Sequence, residues 1–307
     1  MQHILVIGSI NMDLTIHTPR LPQPGETITG SGFATTPGGK GANQAVAAAR
    51  LGGRVRMIGG VGQDVYGDRL EENLRRAGVV TDGVSAFHTT SGIAVITVCG
   101  GDNQIILDCG ANQQITPAII DQNRPLREWA DLVLFQLEIP LDTIVYAAAL
   151  AHQCGARVLL NPAPMRSLPD ELLQNTDIFV PNQHEAGQLL GRTIVTVDEA
   201  KEAARELVSR GIGQVIITLG SDGCVVANAE EAFHAGTYPA EVADTTAAGD
   251  CFIGAYAVGL CEGMDTRKAV RFATAASSIT VSRRGASSSL PERSEVDALM
   301  TQPLTRD

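Results

Sequence analysis

Asp244-Thr245-Thr246-Ala247-Ala248-Gly249-Asp250-Cys251-Phe252 carries no large side chain before Phe252. Its two Ala, two Thr and Gly allow a ligand to approach the backbone closely. The run that follows, Phe252 to Leu260, is apolar with Gly254 and Gly259, and predicts a buried helix. A small-residue turn opening a helix leaves amide N–H groups unpaired at the positive end of the helix dipole, which suits an anion. Asp250 falls in the first turn, where a carboxylate can take a proton from a hydroxyl that attacks phosphorus. The same spacing also fits an ordinary tight turn, since Asp is common in first turns.

Working outward from this stretch, short apolar runs alternate with helical patterns. Strands are expected at Ile4–Ile7, Val55–Ile58, Leu132–Phe135, Val158–Leu160, Ile178–Val180 and Val215–Leu219. Helices are expected at residues 44–51, around Leu70, Leu74 and Ala77, at 144–151, 266–281 and 294–300. Thr196 with Glu199 forms a capping box ahead of the face Ala200, Ala203, Ala204, Leu207 and Val208. Such alternation predicts an α/β fold: a mostly parallel central sheet with helices on both faces. Polar residues follow the strands repeatedly: Asn11, Asp13, Glu138, Asn161, Asn182 and Glu185, with Gly220 after the strand at 215. Parallel strands end on one edge, so these residues are expected to share a cleft.

Two segments break the alternation. Residues 14–37 are rich in Pro, Gly and Thr, and 91–112 contain strand-like runs around Gly100-Gly101-Asp102-Asn103, a hairpin signature. Together they predict a small β-sheet lid inserted into one α/β domain spanning 1–307. Between them Gly38-Gly39-Lys40-Gly41-Ala42-Asn43 opens a helix, again implying close approach of a ligand, with Lys40 and Asn43 as donors. The chain has no GxxxxGK[ST] loop, no GxGxxG after a strand and no GxSxG elbow, which argues against P-loop, dinucleotide and serine-hydrolase chemistry.

Composition narrows the partners. A net charge of -11 without a basic run disfavours nucleic acid and anionic membrane. Six scattered Cys and six His without ligand spacing disfavour a disulfide framework or structural metal, and fit a cytoplasmic protein with reduced thiols. No apolar run approaches membrane-spanning length and the N-terminus shows no export signal. An anionic ligand in so acidic a chain needs local neutralisation by amides, a few cations or a metal. Asn182 and Glu185 fit a hydrated Mg²⁺ held through water, and equally a helix N-cap with its capping-box partner.

The stretch at 244–250 and Gly38-Gly39-Lys40-Gly41-Ala42-Asn43-Gln44-Ala45 resemble the two signatures of the ribokinase (PfkB) family of sugar kinases. The resemblance covers essentially the whole chain. Gly8-Ser9-Ile10-Asn11-Met12-Asp13, Gly110-Ala111-Asn112, Asn161-Pro162-Ala163-Pro164, Pro181-Asn182 with Glu185, and Thr218-Leu219-Gly220-Ser221-Asp222-Gly223 fall in the expected order. It implies ATP-dependent phosphorylation of the 5-hydroxyl of D-ribose with Mg²⁺, and a β lid that often also forms a homodimer interface.

By matching position, the resemblance makes Asp250 the base and gives Ala247, Ala248 and Gly249 the transferring phosphate. Asn11, Met12, Asp13, Gly39, Lys40, Gly41, Ala42, Asn43 and Glu138 would hold the sugar. Asn182, Thr218, Leu219, Gly220, Ser221, Asp222, Gly223, Gly249 and Thr274 would line the nucleotide, with Glu185 near Mg²⁺. Asp244, Thr246, Thr280, Arg283, Gly285 and Ser289 match a loop pair that holds a monovalent cation, usually K⁺. Position 274 is Thr where relatives often carry His or Asn, and 287–289 are Ser-Ser-Ser. Related kinases of deoxyribose, another sugar or a nucleoside share these features, and a non-catalytic sugar and nucleotide sensor would share most of them without needing Asp250.

Overall fold

Successive residues of Ile4-Leu5-Val6-Ile7 enter different cores: Ile4 and Val6 pack on one face of a sheet, Leu5 and Ile7 on the other. Leu132–Phe135 and Val158–Leu160 divide in the same way. Apolar on both sides, such strands are stable only with helices on both faces. The computed structural model describes residues 3–100 and 102–304.

The chain opens with β1 (His3–Ile7), β2 (Asn11–His17), β3 (Ser31–Gly38), α1 (Lys40–Arg50), β4 (Arg54–Gly62), α2 (Val65–Arg76) and β5 (Val80–Phe87). There follow β6 (Gly92–Cys99), β7 (Asp102–Asp108), α3 (Pro117–Gln122), α4 (Arg124–Trp129), β8 (Leu132–Phe135), α5 (Leu141–Gln153) and β9 (Arg157–Leu160). Next come α6 (Asp170–Gln174), β10 (Ile178–Phe179), α7 (Gln183–Leu190), α8 (Val197–Ser209) and β11 (Gln214–Thr218). The chain closes with β12 (Cys224–Asn228), β13 (Ala232–Ala235), α9 (Ala248–Cys261), α10 (Thr266–Val281) and α11 (Arg293–Leu299).

Nine strands form the main sheet in the order β13-β12-β11-β10-β9-β8-β1-β4-β5, parallel from β11 to β5 and antiparallel at the β11–β12–β13 edge. Helices α1, α2, α9, α10 and α11 cover one face, and α3 to α8 the other. The strand–helix alternation read from the sequence is therefore present. β5 was not expected, because Asp82 and Gly83 interrupt its apolar run; it pairs with β4 at the sheet edge.

A separate four-stranded sheet has the order β3-β2-β6-β7. It joins the two β-rich segments as anticipated, although Gly101 of the hairpin signature lies outside the described residues. Asn11 and Asp13 follow the end of β1, as read from the sequence, and they do so as the start of β2, the strand that leaves the main sheet to build the small one. One face of this sheet carries Asp13, Ala94, Ile96 and Leu107 toward a cavity. The opposite face exposes Phe33, Val95 and Ile106, with Val95 paired to Ile106 across the strands.

Helix α9 is apolar nearly all round and lies buried between α1 and α10. Small residues make that possible. A Cβ on Gly254 would come within 2.7 Å of the Gln44 carbonyl oxygen and 2.9 Å of the Ala48 nitrogen, both on α1. Helix propensity alone favours Ala over Gly by about 1 kcal/mol, whereas overpacking costs about 1–3 kcal/mol. We therefore expect Gly254→Ala to destabilise the protein, measured as a lower midpoint in urea; an unchanged or higher midpoint would contradict this close packing.

Candidate active site

The start of α9 fixes the centre of the site. Its N-cap, Ala247, has φ 61° and ψ 7°, and is the one non-glycine residue with positive φ among those described. A left-handed alanine costs of order 1 kcal/mol, so the surrounding structure holds the turn against its local preference. No side chain caps the helix. The Ala248 amide donates to the Thr245 carbonyl at 3.3 Å, so it is engaged within the turn, while helix geometry leaves the first-turn amides of Gly249 and Asp250 without intrahelical acceptors. A Cβ on Gly249 would meet nothing within 4 Å, so the protein's own packing does not require glycine there; a ligand lying against the backbone would.

Asp250 is buried one residue further on. Asn43 Nδ2 donates to its Oδ2 at 3.0 Å and Gln44 Nε2 to its Oδ1 at 3.1 Å. Both donors come from the first turns of α1, so the two glycine-rich stretches meet at this carboxylate.

On one side of Asp250 a cavity of about 500 Å³ is lined by Asn11, Asp13, Gly39, Lys40, Asn43 and Glu138, with Ala94, Ile96, Ile105 and Leu107 from the small sheet. The geometry depends on missing side chains: a Cβ on Gly38 would sit 2.2 Å from the Asp13 carboxylate, and one on Gly39 (φ 90°) 2.6 Å from the Asn11 nitrogen. Asn112 donates to Asn11 Oδ1 at 2.7 Å, which turns the Asn11 amide nitrogen toward Glu138 at 3.4 Å. Met12, Gly41 and Ala42, read as contact residues in the sequence, lie outside the lining. Met12 and Ala42 are packed in the core, and Gly41 abuts the backbone of Gly8 and Ser9.

On the other side, a cavity of about 390 Å³ takes in Thr218, Gly220, Ser221, Gly223, Gly249 and Thr274. Leu219 packs into the core and Asp222 is absent from the lining; the Asp222 carbonyl instead meets His234 Nε2 at 2.6 Å. Thr274 is buried with no partner for its hydroxyl among the described residues, a donor and acceptor available to whatever fills the cavity. A bridging cavity of about 220 Å³ holds Lys40, Asn182, Glu185, Thr245, Gly249 and Asp250. It shares walls with both neighbours, so a single groove crosses the start of α9. Asn182 and Glu185 form the capping box of α7, with Glu185 Oε2 accepting the Asn182 amide at 2.8 Å. Glu185 nonetheless faces the groove.

Beneath the turn, Asp244 joins two loops. Its Oδ1 accepts the Thr246 amide at 2.9 Å and hydroxyl at 2.6 Å, and its Oδ2 the Gly285 amide at 3.0 Å. Thr280 and Ser289 are buried nearby in the chain, their hydroxyls donating to the Ala276 and Ala286 carbonyls, and Arg283 pairs with Glu295.

Residues 1–293 match the model of the pfkB family carbohydrate kinases. The chain belongs to the pfkB family of carbohydrate kinases. It is 41% identical over 302 residues to a ribokinase of Bacillus subtilis, covering 98% of this chain and all of the relative. It is 36% identical to a deoxyribokinase of Salmonella typhi, covering 94% and 95% of the two chains. A solved structure of Arabidopsis thaliana ribokinase complexed with ribose and ATP superimposes with a TM-score of 0.93 at 34% identity, over 98% of this chain and 99% of the other.

Several groups around this kinase's groove escaped the sequence reading. Thr245 lines all three cavities, yet as a small residue in a small-residue turn it gives no signal of its own. Gln44 and Asn112 act through partners far along the chain. Tyr238, Pro239 and Val242, which wall the larger-side-chain part of the second cavity, belong to an irregular segment with no motif.

The acidic cluster is electrostatically costly. Burial, then the neighbouring Glu138 and Asp250 charges, push the Asp13 carboxyl from its ordinary 3.8 up to about 7, against the pull of Lys40. Burial raises Asp250 too, opposed by Lys40 and by the Asn43 and Gln44 hydrogen bonds. Burial alone would lower the Lys40 ammonium, but Asp250, Glu138, Glu185 and Asp13 hold it above its usual range.

Between its unfolded and folded values Asp13 keeps a proton in the native kinase that the unfolded chain has released. Its contribution to stability therefore falls as pH rises from about 4 to about 7 and stays unfavourable above that. We predict that Asp13→Asn raises the thermal midpoint of the ligand-free kinase at pH 8 by at least ~2 °C, with a smaller difference at pH 5. A midpoint below wild type at pH 8 would count against it.

Proposed function

We propose that this kinase transfers the γ-phosphoryl group of ATP to the 5-hydroxyl of D-ribose, giving ribose 5-phosphate and ADP, with Asp250 as general base. The observation that carries this reading is the position of Asp250 between a polar cavity walled by Asp13, Asn11, Lys40 and Glu138 and the amides that open α9. The vicinal hydroxyls of a sugar suit such carboxylate and amide groups. The cavity beyond Gly249, with its unpartnered Thr274 hydroxyl, suits the nucleoside of ATP. The relatives named ribokinase and the ribose and ATP complex of the plant enzyme support the same choice.

In this mechanism the attacking hydroxyl gives its proton to Asp250 as its oxygen bonds to phosphorus and the bond to the ADP oxygen breaks. Lys40 and the Gly249 and Asp250 amides offset the charge on the transferring group, and a preorganised site of this kind acts mainly by position and electrostatics. Glu185 would hold Mg²⁺ through water, which fits an ion that takes few carboxylates and shares phosphate oxygens; bound there, it would neutralise the phosphate charge. Asp244, Thr246, Thr280, Arg283, Gly285 and Ser289 would frame a K⁺ site, largely through backbone oxygens, and a cation there would stiffen the turn at Ala247.

We read the chain as one domain in which the small sheet closes as a lid over the sugar. Its outer face, with Phe33, Val95 and Ile106 exposed, suits a homodimer contact. Six free thiols fit the reducing cytoplasm.

Asp250→Asn is expected to lower kcat for ribose by at least about 10²-fold while the thermal midpoint is kept. Near wild-type turnover would remove Asp250 as the base. The deoxyribokinase relative supports a second reading, with 2-deoxyribose as substrate. Comparing kcat/KM for the two sugars decides it: ribose is expected to be preferred, and a preference for 2-deoxyribose would displace our choice.

A further inference from the structure

Gln44 and Gln136 are fully buried, 92 positions apart, and joined by a hydrogen bond of 2.6 Å from Gln136 Nε2 to Gln44 Oε1. Gln44 Nε2 donates in turn to Asp250 Oδ1 at 3.1 Å and to Asn161 Oδ1 at 3.3 Å. Asn161 Nδ2 donates to the Val180 carbonyl at 2.9 Å. Every amide in the chain thus has one possible direction. The backbone carbonyl of Val180 fixes Asn161. Two acceptors, Asn161 and Asp250, fix the nitrogen of Gln44, and Gln136 satisfies the oxygen left behind.

Gln136 reaches this place at a cost. Its own Oε1 is buried without a partner among the described residues, and that oxygen occupies the space where a Cβ on Gly8 would stand, 1.9 Å away. A polar group left unsatisfied in a core costs about 1–3 kcal/mol, so burying a glutamine here is poorly explained by stability alone. Gln136 lines none of the three cavities of the groove.

We propose that Gln44 and Gln136 are positioning residues, a buried amide relay that holds the Asp250 carboxylate in place for proton transfer. This rests on Asp250 being the base. Without Gln136, the Gln44 oxygen is left buried without its donor, so the Gln44 amide is held less firmly and its donation to Asp250 weakens. Without Gln44, the carboxylate loses one of its two side-chain donors and keeps only Asn43. Both changes favour the protonated acid, so the acid limb of the pH–rate profile moves to higher pH. The other groups facing Asp250 are Lys40 from α1, Asp13 from β2, Glu138 after β8, Glu185 from α7 and the adjoining Cys251 thiol. All stay in place in the variants, so the displacement is read against a constant background.

The test is to measure kcat and KM for ribose and ATP from pH 5 to 9 for wild type, Gln44→Met, Gln136→Met and Asp250→Asn, each checked by thermal unfolding. Methionine keeps the length of the side chain and cannot donate. The relay predicts an acid limb about one pH unit higher for Gln44→Met and a smaller rise for Gln136→Met. It also predicts a kcat loss of up to about tenfold at pH 6 for Gln44→Met that narrows at pH 8, with KM for ATP little changed. A folded Gln136→Met enzyme with a wild-type pH profile overturns the relay, whatever Gln44→Met does; if Gln44→Met does not fold, Gln136→Met alone decides. Activity retained by Asp250→Asn would instead overturn the reading of the base, so the two failures are distinct.

Discussion

The structure is organised around one unfavourable burial: the Asp250 carboxylate, out of water at the start of an apolar helix and close to two further buried or half-buried acids. Isolated, such a group would simply take up a proton. It is held by donors from α1 on both oxygens and by the Lys40 charge, and each of these is delivered by the helix that Gly38 to Gly41 allow to begin where it does. Gly254 brings α9 close enough to α1 for those contacts to form. The core packing of two helices and the chemistry of one carboxylate are therefore a single arrangement.

That arrangement explains where the strain lies. Ala247 keeps a left-handed conformation that its side chain disfavours, polar atoms of Thr274 and Gln136 find no partner among the described residues, and burial, then the neighbouring acids, drive Asp13 toward neutrality. All sit in or just behind the groove. A fold optimised only for stability would remove them; a fold that must grip a polyhydroxyl ligand and a phosphate retains them. The same logic accounts for Gly249, the one glycine in the turn that no protein atom requires.

Much of this was legible in the chain itself. The doubly covered sheet followed from the alternation of apolar runs with helical patterns, and the gathering of Glu138, Asn161, Asn182 and Glu185 at one edge followed from parallel strand direction. The small sheet followed from two Gly- and Thr-rich segments that no helix could absorb. What stayed hidden was tertiary. Asn11 and Asp13 are legible as polar residues that follow β1, but nothing local reveals that the chain leaves the sheet there to start another. Leu219 and Met12 sit within site motifs yet point into the core, since alternate residues of an extended segment face opposite ways. Gln44 and Asn112 are ordinary amides until the fold brings Asp250 and Asn11 to them from more than a hundred residues away.

The role of Asp250 is tested by a crystal structure with ribose and a non-hydrolysable ATP analogue bound together. The sugar's 5-hydroxyl is expected within hydrogen-bonding distance of the Asp250 carboxylate, with the terminal phosphate against the Gly249 amide and in line with that oxygen. A sugar held with its 5-hydroxyl turned away from Asp250, or a phosphate chain that bypasses the start of α9, would contradict it.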